Sequence, residues 1–207
     1  MPNITAIAGQ TVRIDCPFNG FPIESIIWLK RQSNGLSKLP QNHRQKSLTN
    51  GTLVISSVDS TSDQHWYRCL VNGTTTSAQN EVYVKVLVAP VINPFHPPPN
   101  LREGMRVLLT CAVIEGDPPL MIEFFKDEIP VRQNSYIRID SNNEFSSTLF
   151  ISNVSSEDSG NYSCVASNMA AKTTYSFQLD VNGMYVLRSV LLFHSFLPQN
   201  RQFLRNG

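Results

Sequence analysis

Apolar residues in this chain recur at every second position, in short runs separated by turn chemistry. In Thr11-Val12-Arg13-Ile14-Asp15-Cys16, the set Val12, Ile14 and Cys16 shares one face and Arg13 and Asp15 the other. A period of two marks a half-buried strand. The turn Asn19-Gly20-Phe21-Pro22 follows, and Ile26 and Trp28 then point inward from residues 25–30. Leu53 and Ile55, then Tyr67, Cys69 and Val71, then Val82, Val84 and Val86 continue the pattern. It starts again with Val107, Leu109 and Cys111, the turn Gly116-Asp117-Pro118-Pro119, and Ile122 and Phe124. Leu149 and Ile151, Tyr162, Cys164 and Ala166, and Phe177, Leu179 and Val181 complete it. No run has the period of an amphipathic helix, so the chain is all-β, built from two-sheet sandwiches.

The second half repeats the first. A shift of 95 carries Cys16 to Cys111, Asp63 to Asp158, Tyr67 to Tyr162 and Cys69 to Cys164. A shift of 96 carries Trp28 to Phe124 and Thr52-Leu53-Val54-Ile55 to Thr148-Leu149-Phe150-Ile151. A unit of about a hundred residues has been duplicated. The expected division is residues 1–88, 89–182 and a tail, 183–207, outside the repeat. Residues 86–91 join the two units without a Gly/Ser run, so a restricted hinge is expected.

With 207 residues, 17 Lys and Arg against 16 Asp and Glu, and a net charge of +1, the chain has no basic surface for nucleic acid. Its four cysteines form two pairs of equal separation, Cys16 with Cys69 and Cys111 with Cys164, and no C-x-x-C. Zinc ligands come in close pairs, so two long-range disulfides fit better and imply an oxidising compartment. In the chain-entropy account each loop contributes roughly 4 kcal/mol. Five N-x-[ST] sequons, at Asn3, Asn50, Asn72, Asn153 and Asn161, are candidate glycosylation sites and point to the same compartment.

Cys16, then Trp28, then Asp63-x-His65-x-Tyr67-x-Cys69, resembles the immunoglobulin pattern of strands B, C and F, and Asp158-x-Gly160-x-Tyr162-x-Cys164 matches it again. The expected fold is therefore two tandem I-set-like immunoglobulin sandwiches, each with one inter-sheet disulfide. Tyr67 and Tyr162 stand where a tyrosine corner would bond back to the chain. Phe124 stands where Trp is usual and His65 where Gly or Ala is usual; Phe fills the core site without an indole N–H to satisfy.

Ala8-Gly9-Gln10-Thr11, Gly20-Phe21-Pro22-Ile23, Ile27-Trp28 and Leu39-Pro40 resemble one domain of the arthropod Down syndrome cell adhesion molecules (Dscam). Val91-Ile92-Asn93-Pro94-Phe95, Glu103-Gly104-Met105-Arg106 and Gly116-Asp117-Pro118-Pro119-Leu120 resemble the domain that follows it. The likeness covers residues 3–181 and places the chain nearest the shortened Dscam-like receptors of chelicerates. The resemblance implies a cell-surface adhesion receptor that binds itself or related isoforms. It also implies, for arthropods, a part in immune recognition of foreign surfaces, which a secreted form would favour. An intracellular structural array is opposed by the cysteine pairs and the sequons.

Both ends depart from that pattern. No charged n-region and apolar core of a signal peptide opens the chain. Residues 183–207 are unrelated to a further immunoglobulin domain, and are expected to be disordered or a gene-model artefact such as a translated intron. The apolar stretch 184–197 contains Arg188 and His194 and is shorter than a membrane span.

Specificity in such a domain must sit on outward positions. The resemblance implies antiparallel self-pairing of the first domain through its A-B-E-D sheet. The outward residues there are Arg13, Asp15, Thr52, Val54 and Ser56, with Arg44 and Lys46 nearby. A two-fold contact needs a self-complementary surface, which Arg13 beside Asp15 could supply; ordinary solvated strand residues are the other reading. Alternation puts Ile27, Leu29, Trp66, Leu70 and Tyr83 on the opposite outer face, bracketed by Lys30, Arg68 and Lys85. That apolar group is either an alternative binding face or a surface covered by the next domain, a glycan or a long loop. In the second unit, Leu108 and Phe150 are expected to be a cross-strand pair.

No G-x-S-x-G, P-loop or H-E-x-x-H is present. His65 lies near Asp63, but Asp63 belongs to the strand-F corner, where Asp holds a loop. His43, His96 and His194 have no ligand-spaced companions. Catalysis, a metal and a cofactor are therefore not expected.

Overall fold

Period-two runs bounded by turns fold here as two successive β-sandwiches. The structure is a computed structural model, and it describes residues 3–18, 22–33 and 35–182. The expected turn at residues 19–21 and everything expected of 183–207 lie outside the described residues.

The first sandwich contains β1 (Asn3–Ile7), β2 (Val12–Ile14), β3 (Ile23–Gln32), β4 (Gly35–Lys38), β5 (Gln45–Ser47), β6 (Leu53–Ile55), β7 (Trp66–Gly73) and β8 (Ser77–Leu87). Its sheets run β1-β8-β7-β3-β4 and β2-β6-β5. The second contains β9 (Val91–Ile92), β10 (Val107–Glu115), β11 (Met121–Lys126), β12 (Ile129–Pro130), β13 (Ile137–Asn143), β14 (Ser146–Ile151), β15 (Gly160–Ser167) and β16 (Lys172–Leu179). Its sheets run β13-β14-β10-β9 and β12-β11-β15-β16.

One difference from the sequence expectation concerns the first strand. β1 pairs in parallel with β8, with Asn3 opposite Tyr83 and Ile7 opposite Leu87, instead of joining β2. Among the described residues the expected A-B-E-D sheet of the first domain is thus a three-stranded β2-β6-β5 sheet. The chain crosses between the sheets at Ala8–Gln10, where Ala8 N–H still donates to Leu87 O (2.9 Å) and Gly9 N–H already donates to Val58 O (2.7 Å).

Each core closes around its disulfide, with Cα–Cα distances of 5.9 Å for Cys16–Cys69 and 6.3 Å for Cys111–Cys164. The inward residues read from alternation are buried, with Ile26 and Ile122 only half-buried. These two occupy the same repeat position, near the open start of β3 and of β11. Trp28 donates its indole N–H to Gly51 O (2.8 Å), a bond that Phe124 does not require. Gly51 has φ +86, and a Cβ there would lie 2.8 Å from Ile26 Cδ1, so glycine is needed on both counts.

Both tyrosine corners form. Tyr67 OH donates to Asp63 O (3.1 Å) and Tyr162 OH to Asp158 O (3.0 Å). Burial pushes both phenols well above the usual tyrosine range, and the negative charges of Asp63 and Asp158 add to it.

The connection between the sandwiches is strapped to the second one. Val88 N–H donates to Asp117 Oδ2 (2.8 Å) and Asp117 N–H to Val88 O (3.1 Å). Asn168 Nδ2 donates to both Val88 O (2.7 Å) and Asp117 O (2.9 Å), and Thr173 Oγ1 donates to Pro90 O (2.8 Å). Gly116, at φ +135, lets the chain approach Pro90 so closely that a Cβ would lie 2.9 Å from Pro90 Cα.

Candidate functional site

Strand register arranges the outer side of the β2-β6-β5 sheet in rows. Arg13 pairs with Val54 and Val54 with Lys46, so a half-buried valine stands between two exposed cations. One row further, Thr52 donates its hydroxyl to Asp15 Oδ1 (2.7 Å); Thr52 is buried and Asp15 exposed. On the other side Ser56 N–H donates to Arg44 O (2.8 Å). Arg13, Asp15, Lys46, Thr52, Val54 and Ser56 are therefore brought together.

Arg44 leaves the group by turning its side chain to the domain's end. Its guanidinium forms an ion pair with Asp63, whose side chain is 0% exposed, and its Nε donates to Ser56 O (3.3 Å). Asp63 also accepts from Gln45 Nε2 (3.1 Å) and from Asp59 N–H (2.9 Å). The carboxylate is thereby fixed at the corner that Tyr67 caps, and the His65 backbone N–H donates to Asp63 O (2.9 Å). By register, the second domain has Tyr136 and Ile137 where the first has Arg44 and Gln45, because Ser152 N–H bonds Tyr136 O as Ser56 bonds Arg44 O. Asp158 relies instead on the N–H (2.8 Å) and hydroxyl (3.1 Å) of Ser155.

The opposite sheet carries the aromatic face. Trp66 is opposite Tyr83, Arg68 opposite Glu81, Ile27 opposite Leu70 and Leu29 opposite Arg68. All are half-buried, because they cover one another across the strands. The Trp66 and Tyr83 rings lie 5.3 Å apart at 51°, and the Arg31 guanidinium is 6.0 Å above the indole. Glu81 binds Arg31 (3.0 Å) and Arg68 (2.7 Å), and the Arg68 hydrogen bond holds its carboxyl below the usual range.

Arg31 and Glu81 are the members that the sequence expectation omitted, although alternation from Leu29 and Tyr83 reaches both. Lys30 is not on this face. It shares the inward parity of Trp28, and its ammonium reaches Ser62 O at the end of the sandwich. Burial there pushes the Lys30 ammonium below its usual value.

All five sequon asparagines are at least partly accessible. Asn3 and Asn72 project from the aromatic face, and Asn72 donates its side-chain N–H to Ser25 Oγ (3.1 Å). Asn50 precedes β6, where its side chain accepts from Thr52 N–H (3.1 Å), and Asn153 and Asn161 are exposed in the second domain. On that domain Leu108, 61% exposed, pairs with Phe150 as expected, and Arg138 lies 5.4 Å over the Phe150 ring.

Comparison with known proteins agrees with this architecture. The immunoglobulin I-set domain family matches residues 90–181, and a second immunoglobulin domain family matches residues 1–72. The chain is 38% identical over 182 residues to the cell adhesion molecule Dscam2 of Drosophila melanogaster and 41% identical over 184 residues to the cell adhesion molecule DSCAM of Homo sapiens. Each alignment covers 87% of this chain and 9% of the relative, so the chain spans about a tenth of their length. The solved N-terminal eight immunoglobulin domains of a Down syndrome cell adhesion molecule isoform superpose with a TM-score of 0.78 at 33% identity, covering 87% of this chain and 26% of that one. Two disulfide-closed sandwiches, paired tyrosine corners and this likeness across both domains place the chain in the immunoglobulin superfamily, as a tandem domain pair of the Dscam family.

Proposed function

We propose that this domain pair recognises a second copy of itself, or a related isoform, outside the cell, and that the first domain pairs antiparallel through its β2-β6-β5 face as part of a cell-surface adhesion receptor. Relatives named as cell adhesion molecules support the general reading. The observation that carries the finer one is the exposed pair Arg13 and Asp15, two residues apart on one strand line.

A two-fold axis running across the strands, midway between the Arg13-Val54-Lys46 row and the Asp15-Thr52 row, turns the sheet onto a copy of itself. Each Arg13 then faces the copy's Asp15, twice per dimer, while Val54 faces Thr52. The strands of the two copies run antiparallel, and no like charges of Arg13 and Asp15 meet. Arg44 is held by Asp63 and shapes the end of the sheet without joining the contact.

The test is sedimentation of the full chain, secreted behind a leader. Arg13→Glu replaces two attractions by two repulsions, about 2 kcal/mol, or roughly 30-fold in Kd. Asp15→Lys does the same. Mixing the two variants restores pairing to near the original strength, because every contact in the mixed dimer again joins opposite charges. Failure of the mixture to pair, or loss of self-association with Trp66→Ala alone, overturns the proposed face. A chain that stays monomeric at high concentration overturns self-recognition.

A further inference from the structure

The parallel pairing of β1 places an attachment residue beside an aromatic surface. Asn3 is opposite Tyr83, and Tyr83 is opposite Trp66. Cross-strand partners project to the same side of a sheet, so Asn3, Tyr83 and Trp66 form one row, with about 4.8 Å between neighbouring strands. Asn3 is exposed and opens Asn3-Ile4-Thr5, the acceptor tripeptide for N-linked sugar. From Asn3 to Trp66 is two strand spacings, about 10 Å, within reach of the first two sugar rings of an attached chain.

The face suits that occupant in two further respects. Its two arginines, Arg31 and Arg68, are both bound to Glu81, which holds their guanidinium groups down against the sheet and leaves a net charge of one beside the aromatics. Trp66 and Tyr83 are tilted and half-buried, leaving shallow aromatic surface whose negative π-faces attract the C–H groups of a pyranose ring. At the other end of β7, about 20 Å away, Asn72 opens Asn72-Gly73-Thr74 on the same side. Its side-chain amide donates to Ser25 Oγ (3.1 Å). The two sequons of this sheet bracket the apolar group from opposite ends.

We propose that Asn3 carries an N-linked oligosaccharide whose first N-acetylglucosamine rings lie across Tyr83 and Trp66, making this face the carbohydrate-covered side of the domain. In the attachment step the Asn3 amide nitrogen bonds to the anomeric carbon of a polyisoprenyl-diphosphate oligosaccharide donor. The C–O bond to the diphosphate breaks, the diphosphate leaves with the bonding pair, and the amide loses one N–H proton to a base. The inference stands without self-pairing, and it leaves the β2-β6-β5 face as the open side of the first domain.

The experiment uses the full chain secreted from a eukaryotic host. Peptide mapping after enzymatic deglycosylation reads occupancy at each sequon, and acrylamide quenching reads the two tryptophans, of which Trp28 is buried. Asn3 is expected to be occupied, and Asn3→Gln to raise the quenching constant about twofold or more on the order expected for uncovering one of two indoles. Asn50→Gln, away from this face, should leave quenching unchanged. An unmodified Asn3, or an occupied Asn3 whose removal leaves Trp66 equally quenched, overturns the proposal. So does concentration-dependent protection of Trp66 in the glycosylated chain, which would put a second copy on this face. Self-pairing through Arg13 is read separately by sedimentation, so the two proposals fail independently.

Discussion

The Arg44–Asp63 pair offers the sharpest test of how the first domain is held together. Asp63 is 0% exposed and its carboxylate has three supports: the Arg44 guanidinium, Gln45 Nε2 at 3.1 Å and Asp59 N–H at 2.9 Å. Arg44→Met keeps an apolar stem of similar length and removes the charge, leaving a buried carboxylate with neutral donors only. Breaking such a pair from one side costs about 3–5 kcal/mol in a fully buried setting. The Arg44 side chain is 32% exposed, so water reaches the vacated space and the lower end, about 3 kcal/mol, is expected. Both tryptophans, Trp28 and Trp66, belong to the first domain, so urea unfolding followed by indole fluorescence reads that domain without interference from the second. A slope of about 1.5 kcal/mol/M turns the loss into a midpoint shift of about 2 M. Adding Asp63→Asn removes the stranded charge and should recover part of it, with a coupling energy of about 2 kcal/mol. A shift below roughly 0.5 M would refute the reasoning and assign the corner to Asp59 and Gln45 alone.

Three further outcomes follow from the same geometry. Tyr67→Phe removes one of the two donors to Asp63 O, leaving the His65 N–H (2.9 Å), and should cost the first domain about 1 kcal/mol in the fluorescence-detected transition, whereas Tyr162→Phe should leave that transition in place and lower only the second, read by circular dichroism. Asn168→Ala removes the side chain that binds Val88 O and Asp117 O together, so amide hydrogen exchange of the linker peptide should accelerate about tenfold while exchange in β3 is unchanged. His65 is held below the usual imidazole value of 6.5 by burial first and by the Lys30 charge second, so its neutral form favours folding. The stability it supports is present above pH 6.5 and lost as pH falls through the lowered value; His65→Gln should flatten that part of the stability–pH curve.

The cores were legible in the sequence because both rules that define them are local. Alternation marks which side chains enter, and equal Cys spacing with Tyr two residues before the second Cys marks the corner. β1 shows the limit of that reading. Its alternation of Ile4, Ala6 and Ala8 tells which residues enter the core, but the sheet it joins is fixed by a parallel partner eighty residues away in sequence, Asn3 with Tyr83. Arg44 looked like a solvated strand residue because its counter-charge, Asp63, is on another element nineteen residues later. Lys30 was misplaced for a different reason. A long side chain at a strand end can start on the inward side and still bring its ammonium out to a carbonyl, as it does at Ser62. The aromatic face was legible as a face, while the Glu81 hub that ties Arg31 and Arg68 together emerges only when three strands are placed side by side.

The two outer faces of the first domain differ in how their charge is spent on themselves. On the aromatic side Glu81 ion-pairs with both arginines within the sheet; on the other side Arg13 and Lys46 flank Val54 with no acidic partner in their own row. That second face is small. Three strands at about 4.8 Å and three rows at about 6.8 Å present roughly 300 Å² of sheet, well under the ~800 Å² per partner of a stable complex. The self-pairing proposed for it would therefore be weak between free molecules and would gain strength when many copies face one another. A marginal contact is also a discriminating one. When the total binding free energy is small, exchanging a single charge at position 13 or 15 changes two symmetric contacts at once, and about 2 kcal/mol is then enough to separate a matching copy from a mismatched isoform.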